Sequence, residues 1–149
     1  MPLHLAAYQP DIAANLGSMI RICACFDVHL HVISPCGFPF SVKALRRSAM
    51  DYADIAVVTH HDSWQDFRIA QADRRLVLLT TKGAVPHWDF AFGDSDTLIV
   101  GRESAGVPDD VAAAVDAGVA IPMPGGGRSL NVAVSAGIVL SEGMRQLHG

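Results

Sequence analysis

The stretch VAIPMPGGGRSLNVAVSAGIVLSE, residues 119–142, joins a short apolar run to the longest helix-like segment of the chain. Its three glycines do not match a phosphate loop, which needs Lys-Ser or Lys-Thr after GxxxxG, and they do not form GxGxxG. Glycines allow positive φ angles and a close approach of the backbone to a ligand. A mobile surface loop is the alternative. The stretch therefore predicts a strand, a loop and a helix, with the role of the loop left open.

The rest of the chain repeats this alternation of short apolar runs and amphipathic segments. The runs predict strands over 3–8, 30–34, 55–59, 76–80, 97–101 and 119–123. Helices are predicted over 15–26, 42–50, 63–72, 107–117 and 130–147, with Ser41 and either Asp62 or Ser63 as N-caps. Alternating strands and helices predict an α/β fold in which helices cover both faces of a mostly parallel sheet.

Length and composition indicate one globular domain over residues 1–149. Half of the residues are apolar, and no apolar run reaches the 18 or so needed to span a membrane. The N-terminus lacks the features of a signal peptide. Cys23, Cys25 and Cys36 fit neither a disulfide framework nor a metal set, and the pair His60 and His61 lacks further ligands at suitable spacing. We therefore expect a cytoplasmic protein without a metal ion.

Three segments carry unusual residues where ligands bind in open α/β sheets, beyond the carboxyl ends of strands. They are NLGSMIR (15–21), GRESAGVP (101–108) and PMPGGGRSLN (122–131). Gly101 ends a strand, which would let a ligand approach the backbone. Taken alone, GRESAGVP could be an ordinary turn, and Arg21 of NLGSMIR could be an arginine that faces solvent.

Together these segments resemble, in order and spacing, the three motifs of the SPOUT class of S-adenosylmethionine-dependent RNA methyltransferases. The closest branch methylates ribose 2′-hydroxyls. LAAYQPDIAANLGSMIR (5–21), PCGFPFSVKALRRSAMDY (35–52) and LLTTKG (78–83) are similar to the small subgroup that acts on the wobble nucleotide of tRNA. The sequence SLNVAVS departs from that subgroup, which tends to have Met-Asn-Leu-Ser there.

The resemblance implies a C-terminal trefoil knot, a homodimer, a tRNA substrate and S-adenosylmethionine as cofactor. It also implies a single domain over 1–149 with no appended RNA-binding domain. Carried over by position, it implies a cofactor pocket of Leu79, Thr80, Gly101, Glu103, Ile121, Met123, Ser129 and Leu130. It implies catalytic roles for Arg21, Asn15, Glu103, Ser129 and Asn131. A cofactor without phosphate would also explain why the glycine loop has no lysine.

Two questions stay open on the sequence alone. Arg21 could act as a general base, or it could stay charged and stabilise the developing alkoxide, because arginine keeps its proton at physiological pH. Other possible functions are methylation of ribosomal RNA or of another tRNA position, a catalytically silent RNA-binding protein, or a generic nucleotide-binding module.

RNA contacts are expected from two basic clusters, because the net charge of −4 gives no global attraction for RNA. One cluster comprises Lys43, Arg46 and Arg47, and the other Arg68, Arg74 and Arg75. Arg128 is a further candidate for contact with RNA.

Overall fold

A computed structural model describes residues 2–41, 56–82, 84–127 and 129–148. Seven strands form one sheet: β1 His4–Tyr8, β2 His29–Ile33, β3 Val58–His61, β4 Arg75–Leu79, β5 Val85–Pro86, β6 Asp96–Val100 and β7 Ala117–Ala120. The α-helices are α1 Ala13–Phe26, α2 Trp64–Ala70, α3 Asp109–Ala114 and α4 Val132–His148, and a short 3-10 helix spans His87–Asp89.

The strand order in the sheet is β3-β2-β1-β6-β4-β7-β5, and every pairing within it is parallel. The prediction of a parallel α/β sheet is therefore confirmed. The strand predicted over 55–59 lies instead at Val58–His61. The two-residue strand β5 was not predicted; it lies at the sheet edge, where its proline costs no ladder hydrogen bond.

The two faces of the sheet are covered by different helices because alternate residues of each strand point to opposite sides. On one face Leu5 and Leu98 pack with residues of α1 and α4, such as Met19 and Val139. On the other face the larger side chains include Phe67 of α2, which is fully buried. Helices thus cover both faces, as predicted.

Most predicted helices are found with boundaries shifted by one to three residues. Helix α2 begins after Ser63, whose Oγ accepts a hydrogen bond of 3.1 Å from Asp66 N, so the predicted N-cap is correct. The helix predicted over 42–50 lies outside the described residues, and with it the predicted cap role of Ser41. In the described part of the chain, no helix combines the length and apolar character needed to cross a lipid bilayer.

Candidate active site

A cavity of about 900 Å³ opens at the carboxyl ends of β4, β6 and β7. Three chain segments that follow these strands form most of its wall, together with the start of α1 and of α4. All eight residues predicted for the cofactor pocket line it: Leu79, Thr80, Gly101, Glu103, Ile121, Met123, Ser129 and Leu130. The parallel sheet brings them together because its carboxyl ends share one edge.

Asn15, Glu103 and Asn131 form a hydrogen-bonded chain at this cavity. Asn131 Nδ2 donates to Asn15 Oδ1 at 3.0 Å, and Asn15 Nδ2 donates to Glu103 Oε1 at 3.2 Å. The three residues belong to the three segments that the sequence analysis singled out. Glu103 is therefore in direct contact with Asn15, and Asn131 bonds Asn15 from the other side.

Asn131 also begins helix α4. Its Oδ1 accepts hydrogen bonds from Ala133 N at 2.9 Å and from Val134 N at 3.2 Å, which satisfies two backbone donors of the first turn. One side chain thus fixes both the start of the helix and the position of Asn15.

Asp11, in the segment between β1 and α1, forms hydrogen bonds with Glu103. Asp11 N donates to Glu103 Oε2 at 3.2 Å, and Glu103 N donates to Asp11 Oδ1 at 3.1 Å. Ser104 Oγ also donates to Asp11 Oδ2. Sequence reasoning missed Asp11 as a site residue; the signal available was a carboxylate four residues before Asn15.

The two carboxyl groups differ in acidity. Hydrogen bonds from Glu103 and from the Ser104 hydroxyl lower the pKa of Asp11 to about 2. Burial, followed by the contact with Asp11, raises the pKa of Glu103. Asp11 therefore stays ionised to a lower pH than Glu103 does.

Gly101 needs its lack of a side chain for a reason other than ligand approach. A Cβ at Gly101 would lie 2.7 Å from the carbonyl carbon of Gly106, which is closer than atoms can approach. The loop closes on itself through Arg102 N to Gly106 O at 3.0 Å and Gly106 N to Arg102 O at 2.9 Å. The close approach predicted for a ligand is thus made by the loop itself.

In the glycine run at 125–127, one glycine meets a conformational need. Gly126 has φ +83°, a left-handed conformation that favours glycine, and its N–H donates to Met123 O at 3.0 Å. A Cβ at Gly125 or Gly127 would meet open space. The run forms a turn between β7 and α4, and no phosphate-binding geometry is needed to explain it.

Arg21 lies apart from the other predicted catalytic residues. Asn15, Glu103, Ser129 and Asn131 line the cavity, whereas Arg21 is exposed on α1 and is not among the lining residues. Arg21 follows Asn15 by six positions, which places their side chains about 120° apart around a helix with 3.6 residues per turn. Within one chain, the motif therefore does not converge on a single point.

The two predicted basic clusters have different outcomes. Lys43, Arg46, Arg47 and Arg128 lie outside the described residues. Arg74 donates to Pro2 O at 2.6 Å and to Asp96 O at 2.8 Å, and Arg75 forms a 2.7 Å ion pair with Asp96. These two arginines are bonded within the fold, at the edge opposite the cavity, and their contact with RNA stays a prediction. Arg68 is exposed on α2.

The fold is α/β, and its cavity lies beyond the carboxyl ends of the strands, where open α/β sheets bind their ligands. Residues 2–141 match the model of the SpoU rRNA Methylase family, and the chain belongs to this family. A tRNA (cytidine(34)-2′-O)-methyltransferase of Ancylobacter novellus is 49% identical over 152 residues, covering 100% of this chain and 96% of the relative.

The solved structures that match this chain are, like the sequence relative, described in terms of methylation. A structure described as giving insights into the 2-OH methylation of C/U34 on tRNA matches with a TM-score of 0.92 and 38% identity, covering 100% of this chain and 99% of that one. The SpoU methyltransferase AviRb of Streptomyces viridochromogenes, in complex with the cofactor AdoMet, matches with a TM-score of 0.84 and 27% identity. That match covers 98% of this chain and 61% of AviRb.

Proposed function

We propose that this protein is a tRNA methyltransferase that transfers a methyl group from S-adenosylmethionine to the ribose 2′-hydroxyl of nucleotide 34, where that nucleotide is cytidine or uridine. The observation that carries the proposal is the 49% identity, over the whole chain, to a relative named for this reaction on cytidine 34. The hydrogen-bonded chain at the mouth of the cavity adds support, because it unites the three motif segments.

The lining of the cavity fits S-adenosylmethionine. Apolar side chains such as Leu79, Ile121 and Met123 suit an adenine ring, and the backbone of the three loops supplies polar groups beside them. Among the described lining residues the cations are Lys82 and Arg102, and Arg102 is already bonded to Gly106 O. Such a lining suits a cofactor without phosphate.

The bound cofactor supplies an electrophilic methyl group on a sulfonium centre, so the protein's own task is to position and polarise the acceptor. The 2′-hydroxyl must lie in line with the methyl group and must lose its proton during attack. In this proposal Asn15 and Asn131 hold the loops in register, while Ser129, exposed at the cavity, is available to bond the ribose.

We assign to Arg21 the stabilisation of negative charge that develops on the acceptor oxygen. Arginine stays protonated at physiological pH and binds phosphates through two N–H groups at once. An exposed position on α1 suits contact with an RNA that approaches from outside the cavity. The same residue would then orient the substrate and stabilise its transition state.

The proposal includes a homodimer in the cytoplasm. Ile12, Leu130 and Val134 are large apolar residues that are 43–52% exposed, and they adjoin Asn15 and Asn131. A second copy of the chain covering this face would bury them and bring further groups towards the cavity. Sedimentation analysis of the free protein would test the dimer.

We also propose that α4 is threaded through a loop to form a trefoil knot. The path of the chain supports this: β7 lies beyond β4 in the sheet, yet α4 returns to pack on α1. In doing so it follows the cavity walls formed after β4 and β6.

The decisive experiment incubates the purified protein with methyl-labelled S-adenosylmethionine and total tRNA from cells that lack this chain. Labelled tRNA is then digested, and the modified nucleotide is mapped. We expect label on the ribose of nucleotide 34. Label at another tRNA position, or on ribosomal RNA offered in parallel, would replace the assigned target. Absence of transfer to either RNA would contradict the enzyme assignment itself.

A further inference from the structure

Four histidines lie on one face of the sheet, near the amino ends of β1 and β2 and across to β3. His4 of β1 is in register with His29 of β2, and the next residue on the same face of β2 is His31. His61 of β3 follows on that face, paired with Ile33. None of these residues lines the cavity of the candidate active site.

The imidazole rings are close enough to share ligands. His4 Nδ1 lies 2.9 Å from His31 Nε2, and His31 Nδ1 lies 2.8 Å from His61 Nε2. The rings of His29 and His31 stack with centroids 4.3 Å apart. One ring nitrogen from each of His4, His29 and His31 lies within 4.8 Å of the others.

His31 is buried, and His4 and His29 are half-buried. A neutral imidazole offers a nitrogen lone pair to a metal ion, whereas a protonated one does not.

We propose that His4, His29 and His31 form a binding site for a divalent transition metal, with Zn²⁺ as the preferred ion and water as the fourth ligand. Three histidines with one open position are an established ligand set for zinc. Tetrahedral bonds of about 2.0–2.1 Å place ligand nitrogens about 3.3 Å apart. The 2.9 Å contact between His4 and His31 needs to widen only slightly for a metal ion to replace the shared proton.

Second contacts hold two of the ligands in place. His31 Nδ1 lies 2.8 Å from His61 Nε2. In the tautomer that donates its Nδ1 proton to His61, His31 has its Nε2 lone pair available for the metal, and metal-bound histidines are commonly oriented in this way. His29 Nε2 lies 2.7 Å from Thr59 Oγ1. The nearby charge of Arg74 opposes a cation, which limits the affinity but leaves the ligand set intact.

The position of the site defines its role. His4 and His29 begin neighbouring strands, so a metal would tie β1 to β2 at the edge opposite the cavity. The site therefore adds stability and supplies no group to methyl transfer. It does not depend on the proposed function.

Calorimetric titration of tag-free protein, stripped with EDTA and freed of the chelator, tests the site with ZnCl₂. We expect one Zn²⁺ per chain, with affinity at least tenfold lower in His29→Gln and in His4→Asn. His60→Gln is the matched control, because His60 is an exposed histidine of β3 bonded to Ser34 Oγ, outside the cluster. Zn²⁺ should raise the melting temperature of the unaltered protein and leave that of His29→Gln unchanged.

Two further measurements separate this site from the thiols. Co²⁺ bound to the unaltered protein should show tetrahedral absorption without a thiolate charge-transfer band, a result that needs no variant. A Cys25→Ser, Cys36→Ser double variant should bind Zn²⁺ normally. Absence of saturable Zn²⁺ binding, a thiolate band, or full affinity in a His4→Asn, His29→Gln double variant would each overturn the proposal.

Discussion

The two edges of the sheet are built in different ways. At the carboxyl edge, Asn15, Glu103 and Asn131 sit in loops or at helix starts, and their side chains join segments up to 116 residues apart. At the amino edge, Arg75 and Asp96 lie directly opposite each other in the ladder between β4 and β6. The backbone already places the second pair, whereas the first set depends on side-chain contacts.

From this difference we expect activity to depend on the carboxyl edge and stability on the amino edge. Groups at the carboxyl edge can be removed with little change to the sheet, because no strand pairing depends on them. At the amino edge Asp96 is buried between strands, and we expect its loss to act on the free energy of unfolding. The following predictions test that division.

The largest effect is expected at Arg21, on the side of activity. We expect Arg21→Ala to lower kcat about 10²–10³-fold, the usual loss when a group that stabilises transition-state charge is removed. Arg21→Lys should recover little, because lysine lacks the planar pair of donors. Steady-state methylation of tRNA checks this, with exposed Arg68→Ala of α2 as the control. A rate for Arg21→Ala near that of the control would remove Arg21 from the mechanism.

Glu103→Gln should lower kcat/KM about tenfold to a hundredfold, because small displacements of positioning groups have effects of this size. The amide cannot accept from both Asn15 Nδ2 and Asp11 N as the carboxylate does. Glu142→Gln is a matched control, since it is the other glutamate of the chain and pairs with Arg145 on α4. Equal kinetics in the two variants would show that the contacts of Glu103 with Asn15 and Asp11 have no role in catalysis.

At the amino edge, Asp96→Asn should lower the free energy of unfolding by about 1–3 kcal/mol while methylation stays normal. Asp96 is 3% exposed and accepts hydrogen bonds from Arg75 and from Gly93 N. Urea unfolding measures the change. Asp62→Asn, at an exposed position, should shift the same quantity by less than about 0.5 kcal/mol. Loss of activity without loss of stability in Asp96→Asn would break the division between the edges.

The smallest effect concerns pH. Burial, followed by the neighbouring His29 and His4, lowers the pKa of His31 to about 3, so the unfolded chain binds more protons than the folded one below pH 6.5. Stability is therefore full above pH 6.5 and falls as the pH drops towards the folded value. Each such histidine contributes a slope of at most about 1.4 kcal/mol per pH unit.

Urea unfolding in EDTA between pH 7.5 and 5.5 measures that slope before most carboxylates titrate. His4→Asn should make this slope smaller, because burial and the charge of Arg74 lower the pKa of His4 to about 4. His60→Gln serves as the control for a surface histidine. A slope that is the same in His4→Asn as in the unaltered protein would exclude the cluster as its source.

Much of the fold could be predicted because apolar runs and turn residues set it locally. Val77 and Leu98 lie in runs that are apolar throughout, as expected for strands buried on both faces. Strand β3 was misplaced because VTHH carries polar residues in its second half, which a search for apolar runs passes over. The pocket residues were found through motif resemblance, which composition alone could not supply.

What sequence reasoning could not supply was register. His60 and His61 are adjacent in the sequence, where they were considered as metal ligands, yet adjacent strand residues point to opposite faces. The cluster that forms instead takes His4 and His29 from different strands, 25 residues apart, and only the pairing of β1 with β2 brings them together. The contacts of Arg74 and Arg75 within the fold could not be predicted for the same reason, since their partner Asp96 lies on a neighbouring strand.

The bond between Asn131 and Asn15 also sets an order of events during synthesis. Asn15 leaves the ribosome among the first residues, and its partner is made 116 residues later. Because Asn131 also caps α4, the candidate site is completed only when that helix can begin. A nascent chain that stops short of Asn131 has most of the sheet and yet lacks a finished site. The residues of the candidate site therefore come together only late in synthesis of the chain.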